Sequence, residues 1–156
     1  MQRDENKNNP LLAPYYPNGS RSDNPYVNFY WDFCSQGKPA YVPVHYMSLA
    51  NAVTLIRRAG GIAVLAHPGN NIHENLSLLK GIVEQGVSGI EVYSSYHTAK
   101  QTEFYRNQAK LLGLAMSCGS DFHGKTKPKI MVGSVECENL ETDLVSGLME
   151  KRNFES

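Results

Sequence analysis

Three short apolar runs constrain this chain more than any other feature. Ile62-Ala63-Val64-Leu65-Ala66 is continuous, β-branched at two positions and too short for a helix, so it reads as a strand covered on both faces. Gly89-Ile90-Glu91-Val92-Tyr93 reads as a second buried strand, and Leu114-Ala115-Met116 as a third that breaks at Ser117-Cys118-Gly119-Ser120. Helical patterns with their own start and stop signals lie between them. Ser48 is placed to cap a helix reaching Ala59, with Leu49, Ala52, Val53, Leu55 and Ile56 on its apolar face and Gly60-Gly61 as its stop. A helix over 72–85 should end at Gly86. Thr98 with Gln101 makes a capping box for another, running to Leu112 and closed by Gly113. A further strand is expected over 131–135 and a terminal helix over 139–151. Repeating βα order with short connections predicts an α/β fold with parallel strands.

Ahead of this region the texture differs. Residues 1–25 are rich in Asn, Pro and Ser and read as a polar arm or disordered segment, leaving 26–156 as the folded part. Tyr26, Phe29, Tyr30, Trp31 and Phe33 then crowd together. Phe29, Tyr30 and Phe33 fit one helical face, either as an aromatic anchor on a core or as a base-stacking platform. The chain has 156 residues, about one domain, with 15 Lys plus Arg against 15 Asp plus Glu. A formal charge of zero removes any general pull toward nucleic acid or anionic membrane. No apolar run approaches 18 residues, so no membrane span is expected. The first residues lack the apolar core of a signal peptide. Cys34, Cys118 and Cys137 form no C-x-x-C pair, and reduced thiols in a cytoplasmic protein are the expectation.

In parallel βα architectures, chemistry gathers beyond the carboxyl ends of the strands. The three expected strands each end in a polar group: the first at His67, the second at Glu91 and Tyr93 with His97 in the following loop, the third at Asp121 and His123. His67, Asp121 and His123 are candidate metal ligands, with turn-capping as the plain alternative for His67 and Asp121. His97 is a candidate catalytic or substrate-facing residue, or an ordinary loop residue. Glu91 is a candidate for a catalytic role, for holding a ligand histidine or for ligating the metal directly, since a buried carboxylate needs a partner. His45 and His73 read as surface residues. A nitrogen-and-oxygen donor set without thiolate suits Zn, Mn or Fe(II), whose expected chemistry is hydrolysis in which the metal activates water and neutralises a phosphoryl oxygen. Lys125, Lys127 and Lys129 are placed either to hold a phosphate or to form a solvated basic loop.

Three segments carry a family resemblance: Gly60-Gly61-Ile62-Ala63-Val64-Leu65-Ala66-His67-Pro68-Gly69, then Gly89-Ile90-Glu91-Val92-Tyr93, then Gly119-Ser120-Asp121-Phe122-His123-Gly124. In order and spacing they resemble the PHP (polymerase and histidinol phosphatase) superfamily, and most of all its branch of nucleoside-3′,5′-bisphosphate phosphatases and 5′-to-3′ exoribonucleases acting on short RNA. Gly37-Lys38-Pro39-Ala40-Tyr41-Val42-Pro43 is similar to that branch's link out of its inserted domain. The resemblance covers about residues 26–136. It implies a distorted (β/α)7 barrel with a two- or three-metal centre on its carboxyl-end face. It also implies His67, Asp121 and His123 as metal ligands, and His97 near the substrate phosphate. Family members begin with a strand carrying His-x-His, which is absent from this sequence. The expectation is therefore a partial (β/α) barrel, the C-terminal part of a PHP protein, whose exposed edge favours a homodimer.

The first functional expectation is a metal-dependent phosphoesterase, or the metal-binding half of one, acting on a phosphate-bearing small molecule or short oligonucleotide. A non-catalytic PHP-like fragment that folds and associates is the second. A nucleic-acid-binding domain built on the aromatic cluster and basic loop is the third, and zero net charge weighs against it.

Overall fold

The computed structural model describes residues 3–137 and 141–155. It divides into two compact units, Met1–Tyr46 and Met47–Ser156.

The first unit contains short 3-10 turns at Asp4–Asn6 and Ala13–Tyr15, then a helix α1 (Pro25–Phe29) that widens into a π-helical turn, Tyr30–Cys34. Its order comes from aromatic packing and one carboxylate. Tyr15 is buried, meeting Phe29 edge-on at 5.4 Å and Phe33 at 6.3 Å. Such contacts explain why a segment that reads as polar nonetheless buries Leu12 and Tyr15. Tyr26, Tyr30 and Trp31 stay more than half exposed, so only part of the aromatic run serves as an anchor. Asp32 accepts from Tyr15 Oη at 2.7 Å, and from Arg21 Nε at 2.9 Å and Nη2 at 2.7 Å. Arg21 above all, then Tyr15, holds the Asp32 carboxyl below the usual carboxylate range.

The second unit is the α/β part. Helix α2 (Leu49–Arg58) starts where Ser48 accepts from the Asn51 amide. Strand β1 is only Val64–Leu65. After it come a one-turn helix α3 (Pro68–Asn71), helix α4 (Leu76–Glu84), strand β2 (Gly89–Ser94), helix α5 (Ala99–Leu111), strand β3 (Ala115–Gly119) and helix α6 (Glu141–Glu155). The strands form one parallel sheet in the order β1-β2-β3. Val64 pairs with Gly89, and Gly89 with Ala115, so all three carboxyl ends lie on one side. Every residue of β2 is buried, and α5 packs on it while α6 packs on β3. Ile90, Val92, Leu79, Tyr105 and Ala109 centre the core. At complete burial Ile90 and Val92 each contribute on the order of 1.5–3 kcal/mol.

The parallel α/β arrangement stands as expected, with four differences inside it. The strand expected over 62–66 shrinks to two residues and is not covered on both faces: Val64 is 36% exposed, because β1 has no neighbour on its outer edge among the described residues. The helix expected over 72–85 is broken. His73 has φ +46°, and Asn75 starts a new helix by accepting from the Leu78 amide, so His73 lies outside a helical first turn. No strand forms over 131–135. Met131 and Val132 are exposed there, and Gly133 turns at φ +74°. β3 instead extends to Gly119. The terminal helix starts at Glu141 among the described residues; its expected start, Asn139, lies outside them.

Cys118 and Cys137 are joined by a disulfide, which corrects the expectation of three reduced thiols; Cys34 is free. Nothing in the 19-residue spacing signals the pair. It forms because the chain leaving β3 folds back on the strand it came from. No helix among the described residues is long and apolar enough to cross a membrane.

Two expected outcomes follow. Asp32 is depressed in the folded state, so its contribution is present above the ordinary carboxylate pKa of about 3.9 and is lost as pH falls through the lower folded value. Asp32→Asn should therefore destabilise the first unit at pH 7 and match wild type at the acid end, read by the fluorescence of Trp31, the chain's one tryptophan. Thr98→Ala should cost about 1 kcal/mol in denaturant unfolding, and Thr98→Ser much less, because the Thr98–Gln101 capping box is fully formed.

Candidate functional site

Burial of β2 on both faces leaves Glu91 a carboxylate inside the sheet. Its outlet is the end of the neighbouring strand: Oε2 accepts from the His67 backbone N–H at 3.1 Å. Glu91 is 9% exposed, and its Oε1, like His67 Nδ1, is buried without a hydrogen-bond partner among the described residues. His67 holds a left-handed conformation (φ +32°), which costs a non-glycine residue on the order of 1–3 kcal/mol unless its surroundings over-determine it. They do so here. The His67 carbonyl accepts from the amides of Asn70 and Asn71, and Asn71 Nδ2 donates to Ala66 O at 3.1 Å.

His97 reaches back to the same turn. Its Nε2 accepts from the Gly69 N–H at 3.0 Å, so the neutral ring carries its proton on Nδ1 and donates to Val92 O at 2.9 Å. The ring stacks on Tyr105 with centroids 5.2 Å apart. Only glycine fits at position 69, since a Cβ there would stand 2.6 Å from His97 Cδ2. Both His97 nitrogens are thus engaged in joining the ends of β1 and β2.

The third strand delivers Asp121, also left-handed at φ +58°. Its side chain is 18% exposed, and Oδ2 accepts from Tyr96 Oη at 2.6 Å and from the Lys127 ammonium. Lys127 Nζ also donates to Tyr96 Oη at 2.7 Å. Lys127 first, then Tyr96, holds the Asp121 carboxyl below its usual range, and Asp121 raises Lys127 in return. Tyr96 meets the His67 ring edge-on at 5.5 Å. His123, half exposed, places Nδ1 2.7 Å from Asp121 O and 3.5 Å from Asp121 Oδ1.

His67, Asp121 and His123 therefore lie along one chain of contacts, with Tyr96 between the first two. Reading the sequence missed Tyr96; its one signal is its place beside His97 in the loop after β2. Lys127 is committed to Asp121 and Tyr96 instead of standing open to a phosphate. His73 lies beyond the one-turn helix that follows His67 and belongs to none of these contacts, and His45 is exposed in the first unit. The residues present do not fit a complete metal centre. Among the described residues no group of three His, Cys, Asp or Glu side chains is arranged to hold an ion. What exists is a partial donor set: the orphaned His67 Nδ1 and Glu91 Oε1, and an Asp121 whose cation is a lysine.

No family model matches the chain. It is 36% identical over 107 residues to the 3′,5′-nucleoside bisphosphate phosphatase of Chromobacterium violaceum, covering 67% of this chain and 38% of that protein. It is 34% identical over 94 residues to the 5′-3′ exoribonuclease of Haemophilus influenzae, covering 58% of this chain and 34% of that one. A solved structure from Bifidobacterium adolescentis, provisionally assigned as a metal-dependent phosphoesterase, matches with a TM-score of 0.63 at 26% identity, over 84% of this chain and 44% of that one. The chain thus spans less than half the length of these relatives. Their names are PHP-family names, and the resemblance carried by the three motifs is one of real sequence and structural similarity over the larger part of this chain.

Proposed function

We propose that this chain is the C-terminal part of a PHP-type barrel and supplies one wall of a metal-dependent phosphoesterase. The substrate class is a phosphate ester of a nucleotide or short oligonucleotide. The observation that carries this reading is the convergence of His67, Glu91 and Asp121 on one side of a parallel sheet, with two of the three residues in left-handed conformations that the fold takes pains to hold. The relatives' names support the substrate class. On this reading His67, Asp121 and His123 contribute donors to a centre that residues outside this chain complete, and the N and O donors suit Mn, Zn or Fe. Glu91 acts through His67, whose backbone it holds. His97 sets the turn behind His67 and, in the completed barrel, lies near the substrate phosphate.

The open side of β1 supports the partial-barrel reading too. An unpaired edge with Val64 exposed is a template for another strand, from the missing part of the barrel or from a second copy. Light scattering at micromolar concentration should show a dimer or larger species; a strict monomer removes the second copy as occupant.

A second reading, a fragment that folds and associates without catalysis, is favoured by the incomplete donor set. Hydrolysis of a nucleoside 3′,5′-bisphosphate separates the two. Activity should appear when the chain is mixed with a segment carrying the His-x-His strand, and not with either piece alone. Asp121→Ala or His67→Ala should then lower it by no less than the roughly 10–100-fold typical of groups that merely orient ligands. Activity untouched by both substitutions would sink the site assignment. Metal analysis of protein purified without chelator gives an independent check: Asp121→Ala should reduce bound metal.

A further inference from the structure

We propose that the Cys118–Cys137 disulfide is a reducible latch: a thiol reductant opens it from solvent, and its opening frees the segment 128–137 from β3 while Asp121 and Lys127 stay clasped to Tyr96. The device is independent of the catalytic reading above.

The bond joins two unlike pieces of chain. Cys118 belongs to β3 and is paired in register with Tyr93 of β2. Cys137 ends a segment that leaves the strand, passes Asp121 and His123, and comes back to it. The half of that segment nearer the strand has ties of its own. Ser120 O accepts from Ser95 Oγ at 2.8 Å, Asp121 Oδ2 accepts from Tyr96 Oη at 2.6 Å, and Lys127 Nζ donates to Tyr96 Oη at 2.7 Å. The farther half is held differently. Among the described residues its hydrogen bonds are local turns, Ile130 N donating to Lys127 O at 3.0 Å and Ser134 N to Met131 O at 3.3 Å. Met131 and Val132 are exposed, and Val135 is only partly buried against the core. The disulfide is therefore the chief fixture of 128–137, whereas 120–127 keeps its place without it. The same segment lines a groove with β3 and with Leu144 and Leu148 of α6, so opening the bond loosens one wall of that groove.

Exchange requires that a thiolate reach one sulfur. Cys118 is an exposed position of β3, which gives that approach. The thiolate of a dithiol attacks Cys118 Sγ, the Cys118–Cys137 bond breaks, and Cys137 leaves with the electron pair and takes up a proton. The second thiol of the reductant then attacks its own sulfur in the mixed disulfide and releases Cys118 as a thiol. Two electrons pass to the protein, and the dithiol ends as a disulfide. A small disulfide reverses the sequence, because β3 still holds Cys118 and Cys137 is tethered to it 19 residues away.

The test uses dithiothreitol on the whole chain without denaturant. Thiols that react with a chromogenic disulfide should rise from one, Cys34, to three. Limited trypsin digestion followed by mass spectrometry should then show cleavage after Lys129 about tenfold faster than in the oxidised chain, and cleavage after Lys125 unchanged, since a cross-link acts on the opening of the loop that it holds. Cys137→Ser should be cut after Lys129 at the reduced rate with or without dithiothreitol, and Cys34→Ser should respond as wild type does. Wild type alone decides the matter if the Cys137 variant does not fold. A thiol count that stays at one in native buffer, cleavage after Lys129 indifferent to reduction, or an equal rise after Lys125 overturns the proposal.

Discussion

A carboxylate enclosed in a fully buried strand is the constraint on which the site depends. β2 is covered on both faces, so Glu91 can be satisfied only at the sheet's own edge. It finds the His67 amide at the end of β1. That bond draws the first turn after β1 toward β2 and helps hold His67 in a conformation that it would not adopt alone. The His97–Gly69 contact ties the same two loops from above. Two hydrogen bonds thus cross between one pair of strand ends, and the third strand adds Asp121 beside them.

Charge is handled differently at the two ends of this corner. At the β1–β2 end, polar atoms are buried and left without partners, a state that costs on the order of 1–3 kcal/mol for each. At the β3 end, the carboxylate is paired with the Lys127 ammonium and accepts a hydrogen bond from Tyr96.

Much of the architecture was legible in local chemistry. Ser48, Thr98 and Gln101 cap helices because their side chains satisfy amides a few residues away, a relation contained within the sequence itself. The three apolar runs located the strands for the same reason. The weaker expectations failed where local pattern and tertiary setting disagreed. The Ile62–Ala66 run looks buried throughout, yet burial of a strand depends on its neighbours, and among the described residues β1 has only one. Residues 131–135 look like a strand, but the chain turns at Gly133 (φ +74°) and leaves Met131 and Val132 exposed. Helical periodicity after His67 hid the break at His73 and Asn75, which is made by backbone sign and capping.

The sequence by itself determined the order of the three strands and the helices capped by Ser48 and Thr98, and the placement of His67, His97, Asp121 and His123 beyond strand ends, because both follow from short-range periodicity and from the rule that parallel strands share a carboxyl side; Glu91, expected at a strand end, lies inside β2. Only the tertiary structure decided who touches whom: Glu91 with the amide of His67, His97 with Gly69, Tyr96 and Lys127 with Asp121, Cys118 with Cys137. Those pairs lie 6 to 31 residues apart in the chain, counting the Lys127–Tyr96 contact. Their meeting is set by register and loop path, which no local pattern of residue types encodes.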